Sequence, residues 1–256
     1  MRVVIKIGTS TLAHSTGRIN IRRVEELCKV LSDIKNAGNE IILVSSGAIG
    51  MGVGKLSLPG RPADIRTKQA AAAVGQCELM YVYDKLFSEY NHNVAQILIT
   101  GEDIEHSFRR ANFENTMRRL LELGVLPIVN ENDSIATDEI VIGDNDTLGA
   151  IVATTLDADL LIILSDIDGM FTADPHKDEN ARLLHTVTEI TPEIEAMIGG
   201  VGSGLGTGGM ATKVKAAKTA NEKGIDMVIA NGKDPQILYD IVNGEEVGTR
   251  FVSGRA

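Results

Sequence analysis

Six short, largely β-branched runs, each separated from the next by stretches of helical period, leave this chain few folds to choose from. They are VVIKI at 3–7, EIILV at 40–44, VAQILI at 94–99, VLPIV at 125–129, DLLIIL at 159–164 and DMVIA at 226–230. The intervening pattern predicts helices at 20–37, 63–90, 109–123, 146–157, 210–223 and 234–243. Gly38, Gly124 and Gly224 stand where three of them stop, as a left-handed helix end requires. Strands without a polar face that alternate with helices make a mainly parallel sheet covered on both sides. The expected fold is therefore α/β, a three-layer αβα sandwich around an open sheet. The 256 residues are 43% hydrophobic, enough for a large core, and no linker divides them, so 1–256 reads as a single domain.

Charge and special residues narrow the function. A net charge of -10 with no basic stripe speaks against general affinity for nucleic acid or an anionic membrane, so an anionic ligand needs local design. No apolar run is long enough to span a bilayer, and MRVVIKIGTS is too short in apolar character for a secretion signal. Cys28 and Cys77, far apart on expected helices, read as core thiols in a reducing compartment, which fits a cytoplasmic protein. His14, His92, His106, His176 and His185 show no metal-ligand spacing, and no metal ligand is assigned to the chain.

The tract GGVGSGLGTGGMATK at 199–213 carries the strongest chemical signal. Seven of its fifteen residues are glycine, and an Ala-rich helix with Lys213, Lys215 and Lys218 follows. Glycines let backbone N–H groups turn inward, and a helix N-terminus adds positive charge at the same spot, which suits phosphate. A plain glycine linker would not need those lysines. The loop is not a Walker A motif, because Val214 follows Lys213. Gly204, Gly206 and Gly209 spell G-x-G-x-x-G, yet TPEIEAMI before them starts like a helix instead of a strand.

In an open parallel sheet, ligands bind beyond the carboxyl ends of the strands. There the chain places Gly8, Thr9 and Ser10, then Ser45, Ser46, Gly47 and Ala48, then Asn130 to Asp133, then Ser165, Asp166 and Asp168. Lys6 lies within an apolar strand, where an ammonium needs an anionic partner unless it snorkels to water from the strand end. With Lys213 it would clamp a transferring phosphoryl group between two cations. SSGAIGMG at 45–52 is a second strand-to-helix turn; Ser46 there is either a ligand contact or a plain helix cap. NEND at 130–133 and GDND at 143–146 flank DSIATDEIVIG at 133–143, which reads as a β-hairpin or extended loop and as a lid or site wall.

Taken in order, VVIKIGTS, VSSGAIGMG, KQAAAAVGQ, NENDSIAT, IGDNDTLGA, LSDIDGMFTADP and SGLGTGGMATK resemble the amino acid kinase family over nearly the whole chain. NEND, GDND and GTGGMATK most resemble the members that phosphorylate L-glutamate on its side-chain carboxylate at the start of proline synthesis. The resemblance implies ATP with Mg2+ as cofactors. Lys6 and Lys213 would hold the phosphates, with Asp146 orienting both. Ser165, Asp166, Thr207, Gly208, Gly209, Met210, Ala211, Thr212 and Lys213 would line the ATP site. Ser46, Gly47, Ala48, Asp133, Asp144 and Asn145 would form the glutamate site. The part from about 1 to 150 would thus serve mainly glutamate and the part from about 151 to 256 mainly ATP. The reactivity of an acyl phosphate product suggests handover to a glutamyl phosphate reductase. The resemblance implies a homo-oligomer, dimer or tetramer, with tetramers a family trait and association of this chain through the long helix at 63–90 the alternative. Many members carry a further C-terminal PUA domain, whereas this sequence stops at Ala256, soon after VGTRF. Members acting on N-acetylglutamate, aspartate, carbamate or UMP, and a silent nucleotide-binding regulator, are the alternatives to be separated by assay.

Overall fold

The computed structural model describes residues 1–14, 18–135, 144–175, 177–192, 194 and 209–254. Along the chain run β1 (Arg2–Ile7), α1 (Thr9–Leu12), α2 (Ile21–Asn36), β2 (Glu40–Ser45), α3 (Ala48–Lys55), α4 (Ile65–Ser88) and β3 (Val94–Ile99). There follow α5 (Gly101–Glu105), α6 (Ser107–Glu122), β4 (Leu126–Glu131), α7 (Asn145–Thr155), β5 (Leu160–Ser165) and the short β6 (Met170–Phe171), β7 (Leu183–Leu184) and β8 (Thr186–Val187). The described chain ends with α8 (Met210–Asn221), β9 (Asp226–Asn231), α9 (Ile237–Asn243) and β10 (Thr249–Phe251).

One eight-stranded sheet runs in the order β3-β4-β2-β1-β5-β9-β10-β8. Strands β3, β4, β2, β1, β5 and β9 are parallel, β10 returns antiparallel to β9, and β8 lies parallel to β10, while β6 and β7 pair antiparallel apart from this sheet. All six strands and all six helices expected from the pattern are present, and Gly38, Gly124 and Gly224 hold φ of 95°, 71° and 74° at the stops. This is the expected α/β sandwich.

Strand parity sorts the interior into two cores. Val3, Ile5 and Ile7 of β1, with Leu43, Ile162 and Leu164, pack under α2, α4 and α9. Val4, with Ile42, Val44, Leu161 and Ile163, packs under α6, α7 and α8. Lys6 pairs in register with Val44 and Ile163, so alternation turns it to the α7–α8 side. On that side the covering helices are built of small residues: Gly149, Ala150 and Ala153 on α7, and Ala216, Ala217 and Ala220 on α8. They let the two helices approach each other and the sheet closely. A Cβ on Gly149 would lie 3.4 Å from both Leu161 Cδ1 and Lys6 Cβ. The bare glycine leaves the lysine stem its path.

Some features differ from expectation. Helices α1 and α5 were not anticipated, and α3 was expected only as the far side of the turn at SSGAIGMG. AIGMGVGK carries three glycines within eight residues, which a propensity argument rejects. Tertiary packing overrides it, because α3 crosses α4 at Gly52 and Gly75, where an added Cβ would strike the backbone carbonyls of Ala71 and Ala48. Cys28 is buried as expected, but Cys77 is exposed. The buried seam of α4 runs through Ala72, Gly75, Gln76, Leu79 and Tyr83, and Cys77 falls outside it. Of the expected insertion at 133–143, residues 136–143 lie outside the described residues, as does most of the glycine tract. Among the described residues no helix is long and apolar enough to cross a membrane.

Candidate active site

The chain leaves β1 toward β2 on one side and reaches β5 on the other, so a crevice opens at the carboxyl end of β1. Three charged side chains meet there, from β1, α7 and α8. Lys6 Nζ lies 2.6 Å from Asp146 Oδ1, and Lys213 Nζ donates to Asp146 Oδ2 at 3.1 Å. Asp146 is 1% exposed, Lys213 3% and Lys6 8%. The Lys6 contact is a close ion pair off the hydrogen-bonding directions of Oδ1, whereas Oδ2 also accepts from Thr212 Oγ1 at 2.9 Å. Burial alone would raise the carboxyl pKa of Asp146, but the two ammonium groups outweigh it and hold the group below the usual range. Two cations meet one carboxylate here in a poorly hydrated place. An additional anion beside it would be strongly favoured.

The remaining expected nucleotide residues sit around this cluster. Gly209 caps α8 with an extended backbone, and Met210, Ala211, Thr212 and Lys213 form its first turn. Thr207 and Gly208 lie outside the described residues. Ser165 ends β5 and donates through Oγ to Asp166 Oδ1 at 3.1 Å. In register beside it, Asn231 ends β9 and donates to Asp168 Oδ1 at 2.7 Å. Asn231 was not singled out, since a lone asparagine at a strand end carries no spacing signal.

On the β2–β4 side the expected acceptor residues gather. Gly47 holds φ of 111° and caps α3 with no side-chain bond, so the Ser46 hydroxyl is not spent on the helix. Instead Ser46 Oγ accepts from Asn145 Nδ2 at 2.6 Å, across 99 residues of sequence. Asp144 is the N-cap of α7, accepting from Thr147 N at 2.8 Å and from Thr147 Oγ1 at 3.0 Å. Its carboxylate thus builds the helix start that presents Asn145 and Asp146.

Next to these groups lies a cleft of about 460 Å³, whose lining includes Ala48, Gln76, Gln96, Glu131, Asn132 and Asp133. Burial and the nearby Asp133 and Asp144 push the Glu131 carboxyl up to about 7. Burial likewise raises Asp133, against a smaller lowering from Arg61. A space crowded with carboxylates that resist ionisation favours a ligand bearing a cation. Asn130 and Glu131 were marked only as part of the NEND cluster at a strand end, and Gln76 and Gln96 were assigned no role, because nothing local marks a glutamine as a neighbour of a distant strand end.

Residues 1–231 match the model of the amino acid kinase family. A glutamate 5-kinase of Clostridium perfringens (strain 13 / Type A) is 56% identical over 256 residues, covering 98% of this chain and 95% of that one. A glutamate 5-kinase of Clostridium acetobutylicum is 53% identical over 251 residues, covering 98% and 94%. Among solved structures, a carbamate kinase from Giardia lamblia bound to AMP-PNP superposes with a TM-score of 0.70 at 20% identity, covering 98% of each chain. That likeness is one of fold.

Proposed function

This chain belongs to the amino acid kinase family, and from that premise we infer that it transfers the γ-phosphoryl group of ATP to the side-chain carboxylate of L-glutamate. The product is L-glutamyl 5-phosphate, which starts proline biosynthesis. The observation that carries this reading is the buried Lys6–Asp146–Lys213 cluster opening beside an amide-lined and acid-lined cleft. In the reaction a glutamate oxygen forms a bond to γ-phosphorus as the bridging bond to ADP breaks. The acceptor carboxylate is already ionised at neutral pH, so no general base is required. Alignment and charge neutralisation remain as the tasks.

Each group then has a role. Lys6 and Lys213 reach the transferring phosphoryl group from β1 and α8, and Asp146 holds both ammonium groups until the nucleotide takes over part of their charge. The first turn of α8 and the ends of β5 and β9 receive ATP. Ser46 and Asn145 face the acceptor carboxylate, while Asp133 and Glu131 draw the α-ammonium into the cleft. Magnesium travels with the triphosphate in this scheme. Among the described residues no group of three or more His, Cys, Asp or Glu stands ready to hold a metal ion. The part up to about residue 150 serves mainly glutamate and the rest mainly ATP, with Lys6 and Asp146 reaching the phosphates from the first part. The acyl phosphate is prone to hydrolysis, so a glutamyl phosphate reductase is the natural consumer. A homo-oligomer is proposed through the exposed side of α4, where Tyr81 is 63% exposed.

The deciding experiment measures ADP release with L-glutamate, N-acetylglutamate, aspartate, carbamate and UMP as acceptors, and traps the acyl phosphate with hydroxylamine. Glutamate is expected to give the highest kcat/KM and a trapped hydroxamate. Equal or faster turnover with another acceptor overturns the assignment, and no turnover with any of them points to a silent regulator.

A further inference from the structure

The hydrogen bonds behind Ser46 have a direction that can be read without ambiguity. The backbone N–H of Glu131 can only donate, and it donates to Asn130 Oδ1 at 2.9 Å. That fixes which end of the Asn130 amide is oxygen. The same oxygen accepts from Asn145 at 3.0 Å, so the Asn145 atom facing it is Nδ2. The opposite end of Asn130, Nδ2, donates to Gln76 Oε1 at 3.0 Å. With one hydrogen of Asn145 Nδ2 on Asn130, the other points at Ser46 Oγ, 2.6 Å away. Ser46 Oγ is therefore an acceptor toward the protein. Its own proton has no acceptor among the described residues.

We propose that Asn130 and Gln76 are positioning residues of the acceptor site: acting through Asn145, they hold the Ser46 hydroxyl with its proton turned toward the substrate carboxylate. The proposal rests on the glutamate reading above. Both residues are well buried, Gln76 at 8% and Asn130 at 2% exposure, so an unmatched polar end at either is costly. Gln76 reaches Asn130 from α4 because its neighbour Gly75 lets α4 lie directly on the backbone of α3. Both helices that frame the cleft are thus tied to the orientation of one hydroxyl. A donor aimed at a carboxylate binds it; an acceptor in the same place repels it.

The test is a double-mutant cycle between Gln76→Leu and Ser46→Ala. Gln76→Leu is expected to raise KM for glutamate about tenfold, as loss of a hydrogen bond to a charged group does, with KM for ATP unchanged. In the Ser46→Ala background the same change should add little, since the hydroxyl it orients is gone. Gln76→Glu keeps the oxygen that Asn130 donates to and should retain more glutamate affinity than Gln76→Leu. If Gln76→Leu does not fold, Gln76→Met, which keeps the unbranched stem, carries the same cycle. An unchanged KM for glutamate, or penalties that simply add, overturns the proposal. Wild-type acyl phosphate formation is measured first, and its absence sinks the acceptor reading alone. In that event a crystal structure of the Gln76 variant decides: an Asn145–Ser46 contact kept at its present length refutes the network, and a rotated Asn145 amide supports it.

Discussion

Asp146 lies between two ammonium groups. It stays ionised despite burial, and it holds the two like charges together; in the proposed reaction it would do so until phosphate binds. Lys6→Ala and Lys213→Ala should each lower kcat by about a hundredfold or more, the scale of a lost transition-state charge contact. Asp133→Ala should chiefly raise KM for glutamate; steady-state kinetics with each substrate varied separates the two patterns. Glu131 supplies a different readout. Its carboxyl is pushed up to about 7 by burial and by Asp133 and Asp144, and an α-ammonium beside it would favour the ionised form. Glutamate binding near pH 7 should therefore release a proton and tighten as pH rises, visible as a buffer-dependent heat in calorimetry. Glu131→Gln should abolish that dependence, and a wild-type heat that ignores the buffer would refute it. Lys6 was legible in the sequence because an ammonium inside VVIKI demands a partner. Asp146 entered by resemblance to a motif, and its double pairing needed the fold. Asn130 was marked by its place in NEND at a strand end but its hydrogen-bonding role was not, and Gln76 stayed hidden, because an amide gains its role from neighbours that only tertiary structure supplies.

Helix α3 is the element that local rules misjudge. Its glycines weaken it as an isolated helix, yet Gly52 and Gly75 are what allow α3 and α4 to lie backbone against backbone. Alanine at either position has nowhere to go, since the obstacle is main chain and not a side chain that can rotate. Gly75→Ala and Gly52→Ala should each destabilise the fold by about 3 kcal/mol, the upper end for overpacked cores. Gly50→Ala, where the nearest neighbour of an added Cβ is Thr9 Cγ2 at 3.5 Å, should be tolerated. Melting curves of the three variants check this, and equal midpoints would refute it. The long strands and helices were legible because period and glycine stops agree. The two-residue strands β6, β7 and β8 were not, as a run of two has no period.

Across the molecule, the titrating groups of the site pull stability in opposite directions with pH. Asp146, lowered in the folded state, adds stability above its unfolded pKa that is lost as pH falls through the folded value. Glu131, raised to about 7, binds its proton more tightly when folded, so its burial subtracts stability as pH climbs from the ordinary glutamate range to about 7. Glu131→Gln should accordingly raise the melting midpoint at pH 8 more than at pH 5; thermal scans at the two values test it, and an equal shift would count against a buried titrating carboxyl. Asp146→Asn leaves two buried ammonium groups facing each other and should cost about 3–5 kcal/mol. Added ATP should return part of that loss, since an anion bound only by the folded state stabilises it. Lys6, Asp146 and Lys213 come from β1, α7 and α8, so the cluster spans most of the polypeptide. A nascent chain emerging from the ribosome can join its first lysine to the aspartate early, but the second cation is translated long afterwards. Prematurely terminated translation products would be inert, and the appearance of turnover during synthesis would time the moment when α8 docks.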